Sequence, residues 1–273
     1  MKQLHKCIFC LTESTEFNTI EHIIPESLGN TEDILVNAVC DKCQNYFGKE
    51  VENYVLSKTP FGFWRTISGT LSKKGKMPFF DGTQFEKNAR TNDYHEFSDK
   101  GMIFYPGDNE TIIGVDIEDE KTKSDILSGV KTTYNLVLTP KMLIYMGRFL
   151  GKIALEYWHK EFESNVFNSK FDEIRKYVRY GTTKHIWPIL NGKLDSNLLI
   201  FHPKNEIEEE RALYAYRFYE IDGRVLFCLD IGSERYSIIL TEKYPNGEIF
   251  TDKFLSALCE GTNGLPNIFY YNL

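Results

Sequence analysis

Apolar and polar positions divide the chain into a front part of short alternations and a back part of longer, regular ones. After Cys43, the residues Phe47, Val51, Tyr54 and Val55 recur at i, i+4, i+7 and i+8, which predicts an amphipathic helix over residues 44–57. Ahead of it, Ile23-Ile24 beside His22 predicts a short strand, and the apolar run closing on Cys40 predicts a second one near residues 36–39. Farther along, residues 102–105, 111–117 and 135–138 read as strands. Thr139-Pro140 then reads as an N-cap with proline at the first helical position. The helix it opens presents Met142, Met146, Phe149, Ile153 and Tyr157 on one face and is predicted to end near Glu163. A second helix over residues 170–180 stops at Gly181, and three antiparallel strands follow over 211–219, 224–231 and 236–241. Asp222-Gly223 is the hairpin signal between the first two of these strands. The predicted fold class is α+β, with a small strand-strand-helix unit over residues 1–60, a connecting segment over 61–100 and a larger α+β domain with antiparallel strands and two helices over 101–273.

Composition supports a packed protein: of 273 residues 42% are hydrophobic, with 20 Phe, 16 Tyr and 3 Trp, enough to exclude disorder for most of the chain. The net charge of −7 argues against coating nucleic acid through global positive charge. That charge is uneven, however. Residues 58–90 hold seven basic groups against two acidic ones, a local balance of +5, and residues 101–273 carry −5 of the total. Lys58, Arg65, Lys73, Lys74 and Lys76 are therefore candidate phosphate contacts, while the neighbouring Phe61, Phe63 and Trp64 read as core in preference to a base-stacking platform. The first residues hold too short an apolar run for a secretory signal, and the stretch 142–158 is broken by Arg148, Lys152 and Glu156, so no membrane span is expected and the cytoplasm is the expected compartment.

In a reducing compartment the cysteines carry more information than a disulfide count. Cys7-Ile-Phe-Cys10 and Cys40-Asp-Lys-Cys43 are two CxxC pairs separated by 29 residues. Each pair aims two thiolates at one point, and two pairs complete a tetrahedral set suited to Zn²⁺. The same ligands also suit iron, the lesser alternative, and a thioredoxin-like redox site would need one pair at a strand-to-helix junction, which two pairs fit poorly. A zinc closed by four cysteines has no open position for a reacting water, so Cys7, Cys10, Cys40 and Cys43 are read as structural ligands. Cys228 and Cys259 sit in apolar runs and read as small buried hydrophobes.

Between and after the knuckles stand Glu21-His22-Ile23-Ile24-Pro25-Glu26-Ser27-Leu28-Gly29 and Cys40-Asp41-Lys42-Cys43-Gln44-Asn45-Tyr46-Phe47-Gly48. With the first knuckle, these segments resemble the HNH endonucleases, the ββα-metal nucleases, in their zinc-stapled branch, and the resemblance covers about residues 5–60. It implies that His22 is the general base, that Glu21 helps hold a Mg²⁺ or Mn²⁺ ion, and that Asn37 orients the imidazole. The family's last metal ligand opens the helix, where Asn usually follows the final cysteine. This chain has Gln44 there and Asn45 next, so either amide is a candidate. The resemblance also implies a nucleic-acid substrate, double-stranded DNA in the first place with RNA also open to the motif, and a plan in which a nuclease is joined to a larger specificity or sensor region, often in defence against foreign DNA. Target recognition, sensing and homo-oligomerisation are the roles open to residues 101–273. The competing expectation is a noncatalytic zinc module that binds nucleic acid. A zinc nucleobase deaminase would need His-x-Glu ahead of Pro-Cys-x-x-Cys, where this chain has His22-Ile23-Ile24 and Val39-Cys40.

Overall fold

The computed structural model describes residues 4–30, 32–69, 71, 75–81, 85–87, 94–96, 102–106, 113–130, 138–181, 187–195, 214–241, 251–264 and 267–269. The front part is built from two-residue strands: β1 (His5–Lys6) pairs with β2 (Glu13–Ser14), and β3 (Glu21–His22) pairs with β4 (Ile34–Leu35). A continuous helical rod follows as α1 (Asp41–Tyr46), a π-helical turn (Phe47–Glu52) and α2 (Asn53–Lys58), and α3 (Pro60–Ser68) turns back with Pro60 in its first turn. The rod starts earlier than residue 44 because the second knuckle is itself the first helical turn. The Cys40 carbonyl accepts from the backbone N–H groups of Cys43 (2.9 Å) and Gln44 (3.0 Å). The second short strand ends before the expected residues 36–39, because Asn37 adopts a left-handed backbone (φ 61°) that turns the chain into the knuckle.

The middle of the chain contributes β5 (Phe80–Asp81), β8 (Met102–Pro106) and β9 (Ile113–Ile117) in one antiparallel sheet, the hairpin β6 (Phe85–Lys87) with β7 (Tyr94–Glu96), and α4 (Glu120–Leu127). The strand expected over 135–138 falls outside the described residues except for Leu138.

The back part centres on α5 (Pro140–Phe162), capped where the Thr139 hydroxyl accepts the Met142 N–H at 3.2 Å. All five residues of its expected apolar face are buried. Helix α6 (Asp172–Tyr180) ends on Gly181 at φ 61°, as its sequence signal requires. It crosses α5 so closely that a Cβ at Gly147 would lie 2.5 Å from the Tyr177 hydroxyl, and one at Gly151 would lie 2.5 Å from Val178 Cγ2. The strands β10 (Ile189–Lys193), β11 (Tyr214–Ile221), β12 (Arg224–Ile231), β13 (Glu234–Ile239) and β14 (Asn267–Phe269) form an antiparallel sheet in the order β11-β12-β13-β10-β14, and α7 is Asp252–Cys259. Asp222 and Gly223 both have positive φ, the backbone of the tight hairpin turn their pairing predicts.

Strand β12 explains why its sequence is apolar almost throughout. Val225, Phe227, Leu229 and Ile231 point into the main core, while Leu226 and Cys228 point the other way onto Phe254 and Leu258 of α7. The main core does not end at the front part. Ile8, Phe9, Phe47 and Val55 belong to the same buried cluster as Phe149, Phe227 and Ile238. Phe61 and Trp64 are buried in it, and Phe63 packs against it, so these aromatics serve the interior. No described helix is long and apolar enough to cross a membrane.

Candidate active site

The two CxxC turns meet. All four Sγ atoms of Cys7, Cys10, Cys40 and Cys43 lie within 4.8 Å of one another, and Cys10 and Cys40 are 3.7 Å apart. A tetrahedron with Zn–S bonds of about 2.3 Å has S···S edges of about 3.8 Å, so the donor set fits a structural Zn²⁺ and closes it off from substrate. Crowding sulfurs together polarises them. A hydrogen bond from Cys43 holds the Cys7 thiol down at about 5 against the upward pull of burial, while burial pushes Cys40 up to about 11. Cys43 is pushed up by its bond to Cys7 and by burial. Helix α6 supports the cluster from outside: Arg179 Nε donates to Cys43 Sγ at 3.2 Å, and Arg175 Nε donates to the Ile8 carbonyl at 2.8 Å.

Strand β3 carries the next two residues at different depths. His22 is partly exposed, with Nε2 3.1 Å from Glu26 Oε1 one turn ahead. Glu21 is buried at 4% exposure, its Oε1 2.7 Å from Lys152 Nζ, and its Oε2 is buried with no hydrogen-bond partner. Burial holds the Glu21 carboxyl above its usual range although Lys152 pulls the other way. The Lys152 ammonium, fully buried on α5, also reaches Glu52 and Glu156 at 3.0 Å each. Burial alone would lower its pKa, but the three carboxylates raise it well above the ordinary lysine value.

Glu21, His22, Glu26, Gln44, Glu52 and Arg65 all line one cleft of about 500 Å³. It opens between β3, the helical rod and α3. Residues 7–59, which hold the knuckles, β3 and the rod, match the family described as HNH endonuclease. This segment is an HNH endonuclease region. Neither the curated proteins nor the solved structures include a match to the chain. Membership implies phosphodiester hydrolysis and a nucleic-acid substrate.

Within the HNH region the expected residues separate into two groups. His22, Glu21 and Gln44 reach the cleft, Gln44 with its amide nitrogen tied to the Ile20 carbonyl at 2.6 Å, and Arg65 joins them from α3. Asn45 and Asn37 are exposed and stand outside the cleft lining, and the partner found at the imidazole is Glu26. Lys58 closes α2 and Lys76 lies on an exposed stretch, both outside the lining, while Lys73 and Lys74 lie outside the described residues. Glu26, Glu52 and Lys152 went unselected in the sequence. A signal for each existed: Glu26 is four residues after His22, Glu52 is eight after Gln44 on the same helix face, and Lys152 is a charge inside an apolar helix.

Proposed function

We propose that the chain is a metal-dependent endonuclease that hydrolyses phosphodiester bonds of double-stranded DNA, with His22 as general base. The observation that carries this reading is the cleft shared by His22, Glu21 and Glu52, in which the buried Glu21 Oε2 is left without a hydrogen-bond partner. A buried carboxylate oxygen with no donor is costly unless a cation or proton satisfies it. Glu21 and Glu52 bring two carboxyl groups to the cleft, so the donors suit a hard divalent ion such as Mg²⁺ or Mn²⁺, with Gln44 as an amide in the same lining. When bound, such an ion supplies charge stabilisation at the scissile phosphate and the departing oxygen. The protein's own part is proton transfer. The Glu26 carboxylate stands 3.1 Å from Nε2 of His22, which leaves Nδ1 as the nitrogen to take a proton from water. Glu26 thus does for the imidazole what Asn37 was expected to do. Arg65 offers positive charge on the cleft wall to the anionic backbone.

The test is nicking of plasmid and of phage DNA with Mg²⁺ or Mn²⁺, with single-stranded RNA in parallel. His22→Ala is expected to lose about 10²- to 10⁴-fold in rate while keeping the wild-type melting temperature. Equal cutting by both proteins would remove His22 from the chemistry, and binding without strand breaks under every ion would favour the noncatalytic zinc module.

A further inference from the structure

Helix α5 is buried along most of its length, yet it places two charged side chains one turn apart, Lys152 and Glu156, in its most enclosed part. Such charges persist in an interior only when they are paired. Glu156 supplies one partner from the same helix, and the other two, Glu21 and Glu52, come from the HNH region at 2.7 and 3.0 Å. Lys152 therefore touches the carboxylate next to the general base and the cleft-lining carboxylate of the helical rod at once. Oε1 of Glu21 is committed to this ammonium, and its buried Oε2 is left without a hydrogen-bond partner.

We propose that Lys152 is a positioning residue, a resident cation that holds Glu21 and Glu52 together before the catalytic divalent ion arrives and leaves that ion only the second oxygen of Glu21. This rests on the metal-dependent reading above. The argument is one of charge and place. Without the ammonium, Glu21, Glu52 and Glu156 repel one another in a poorly solvated site and the fold loses stability until another cation enters. A divalent ion would then be drawn toward the space Lys152 leaves, and so away from His22 and the cleft. Tighter metal binding and slower chemistry are expected together, a combination that simple loss of structure does not produce.

The test compares the full-length, zinc-loaded wild type with Lys152→Met and Lys152→Arg by thermal unfolding with and without added Mn²⁺, by Mn²⁺ titration calorimetry and by plasmid nicking. Lys152→Met is expected to melt lower than wild type without Mn²⁺ and to recover most of the loss when Mn²⁺ is added. It should also bind Mn²⁺ about tenfold more tightly, since one repelling charge is gone, and nick DNA at least about tenfold more slowly. Lys152→Arg should restore wild-type behaviour. A Met variant whose stabilisation by Mn²⁺ is no larger than that of wild type would overturn the proposal. If the Met variant does not fold even with Mn²⁺, the same criterion is applied to Lys152→Met/Glu156→Gln, which removes the cation and one carboxylate together. A wild type that neither binds Mn²⁺ nor nicks would defeat the nuclease reading instead, and the comparison of unfolding with and without Mn²⁺ would still decide the role of Lys152.

Discussion

The HNH region and the half built on α5 solve the problem of holding a shape in opposite ways. The first has paired strands of two residues each and a helical rod interrupted by a π turn, so its backbone bonds fix little by themselves. The second has a helix of 23 residues and strands of eight, with apolar side chains on both faces of the sheet. Chemistry sits on the weak scaffold and rigidity on the strong one. The contacts between them show how precision is transferred. Lys152 of α5 holds Glu21 and Glu52, Arg175 and Arg179 of α6 hold the two knuckles, and Tyr157 and Lys160 reach Asp33 beside β4. A small nuclease motif here relies on a larger neighbour to fix its carboxylates, whatever else that neighbour recognises.

The sharpest way to break this comparison is to remove the zinc. Structural zinc contributes on the order of 10 kcal/mol, comparable to the whole stability of an ordinary domain. Cys43→Ser should therefore lose the metal by native mass spectrometry. Because Phe9 and Phe47 share one core with Phe149 and Phe227, it should also lower the melting of the sheet, read by near-ultraviolet circular dichroism. A sheet that melts at the wild-type temperature after zinc loss would show that the two halves are independent.

Replacing Arg175 tests the same dependence with a smaller perturbation. Its guanidinium is buried and donates to the carbonyls of Ile8 and Val166 while pairing with Asp172. Burial lowers its pKa and Asp172 works against that, so the charge is retained at a cost that only these acceptors offset. Arg175→Met keeps the apolar volume and orphans two carbonyls, for a loss of about 2–3 kcal/mol. At about 2–4 °C per kcal/mol for a chain of this size, differential scanning calorimetry would resolve it easily. A loss of zinc affinity alongside the lower melting point would place the effect at the first knuckle.

The sequence displayed the two halves unequally. The four-cysteine frame was legible because metal ligation demands particular residues at particular spacings, and Glu21-His22 stood out only as part of the family pattern. The long elements were legible because burial imposes a period: the α5 face, the Gly181 stop and the Asp222-Gly223 hairpin all read directly. Neither signal encodes contacts between distant segments. Lys152 and Glu156 looked like interruptions of an apolar run, useful for excluding a membrane span, while the other partners of Lys152, Glu21 and Glu52, lay 100 residues or more away in the chain. Asn37 fits the family pattern by position, but its left-handed backbone at an exposed turn depends on how β4 runs into the knuckle. Gln44 and Asn45 are adjacent in sequence, and only the direction of the helical rod separates the one facing the cleft from the one facing away.

The smallest effect is the most specific to the contact between the halves, and it can be read through pH. Asp33 follows the turn after β3, where its carbonyl accepts the Ile23 N–H at 2.9 Å, and its carboxylate receives the Tyr157 hydroxyl at 2.7 Å, the Tyr214 hydroxyl at 3.2 Å and the Lys160 ammonium. Burial would raise its pKa, but Lys160 and Tyr157 outweigh that and hold the carboxyl below its usual range. A folded-state pKa below the unfolded one means that the stabilisation is present above about pH 4 and is lost as pH falls through the folded value. Asp33→Asn mimics the protonated form at every pH. It should cost about 1–2 kcal/mol at pH 7, reduced from a fully buried case because the site is partly solvated. Urea unfolding at pH 7, 5, 4 and 3.5 should show the gap between wild type and variant holding steady down to about pH 4 and narrowing below it. A gap that stays constant to pH 3.5 would mean that the Asp33 charge contributes nothing across this contact. The two halves would then be joined by the shared core and by grips such as those of Lys152, Arg175 and Arg179.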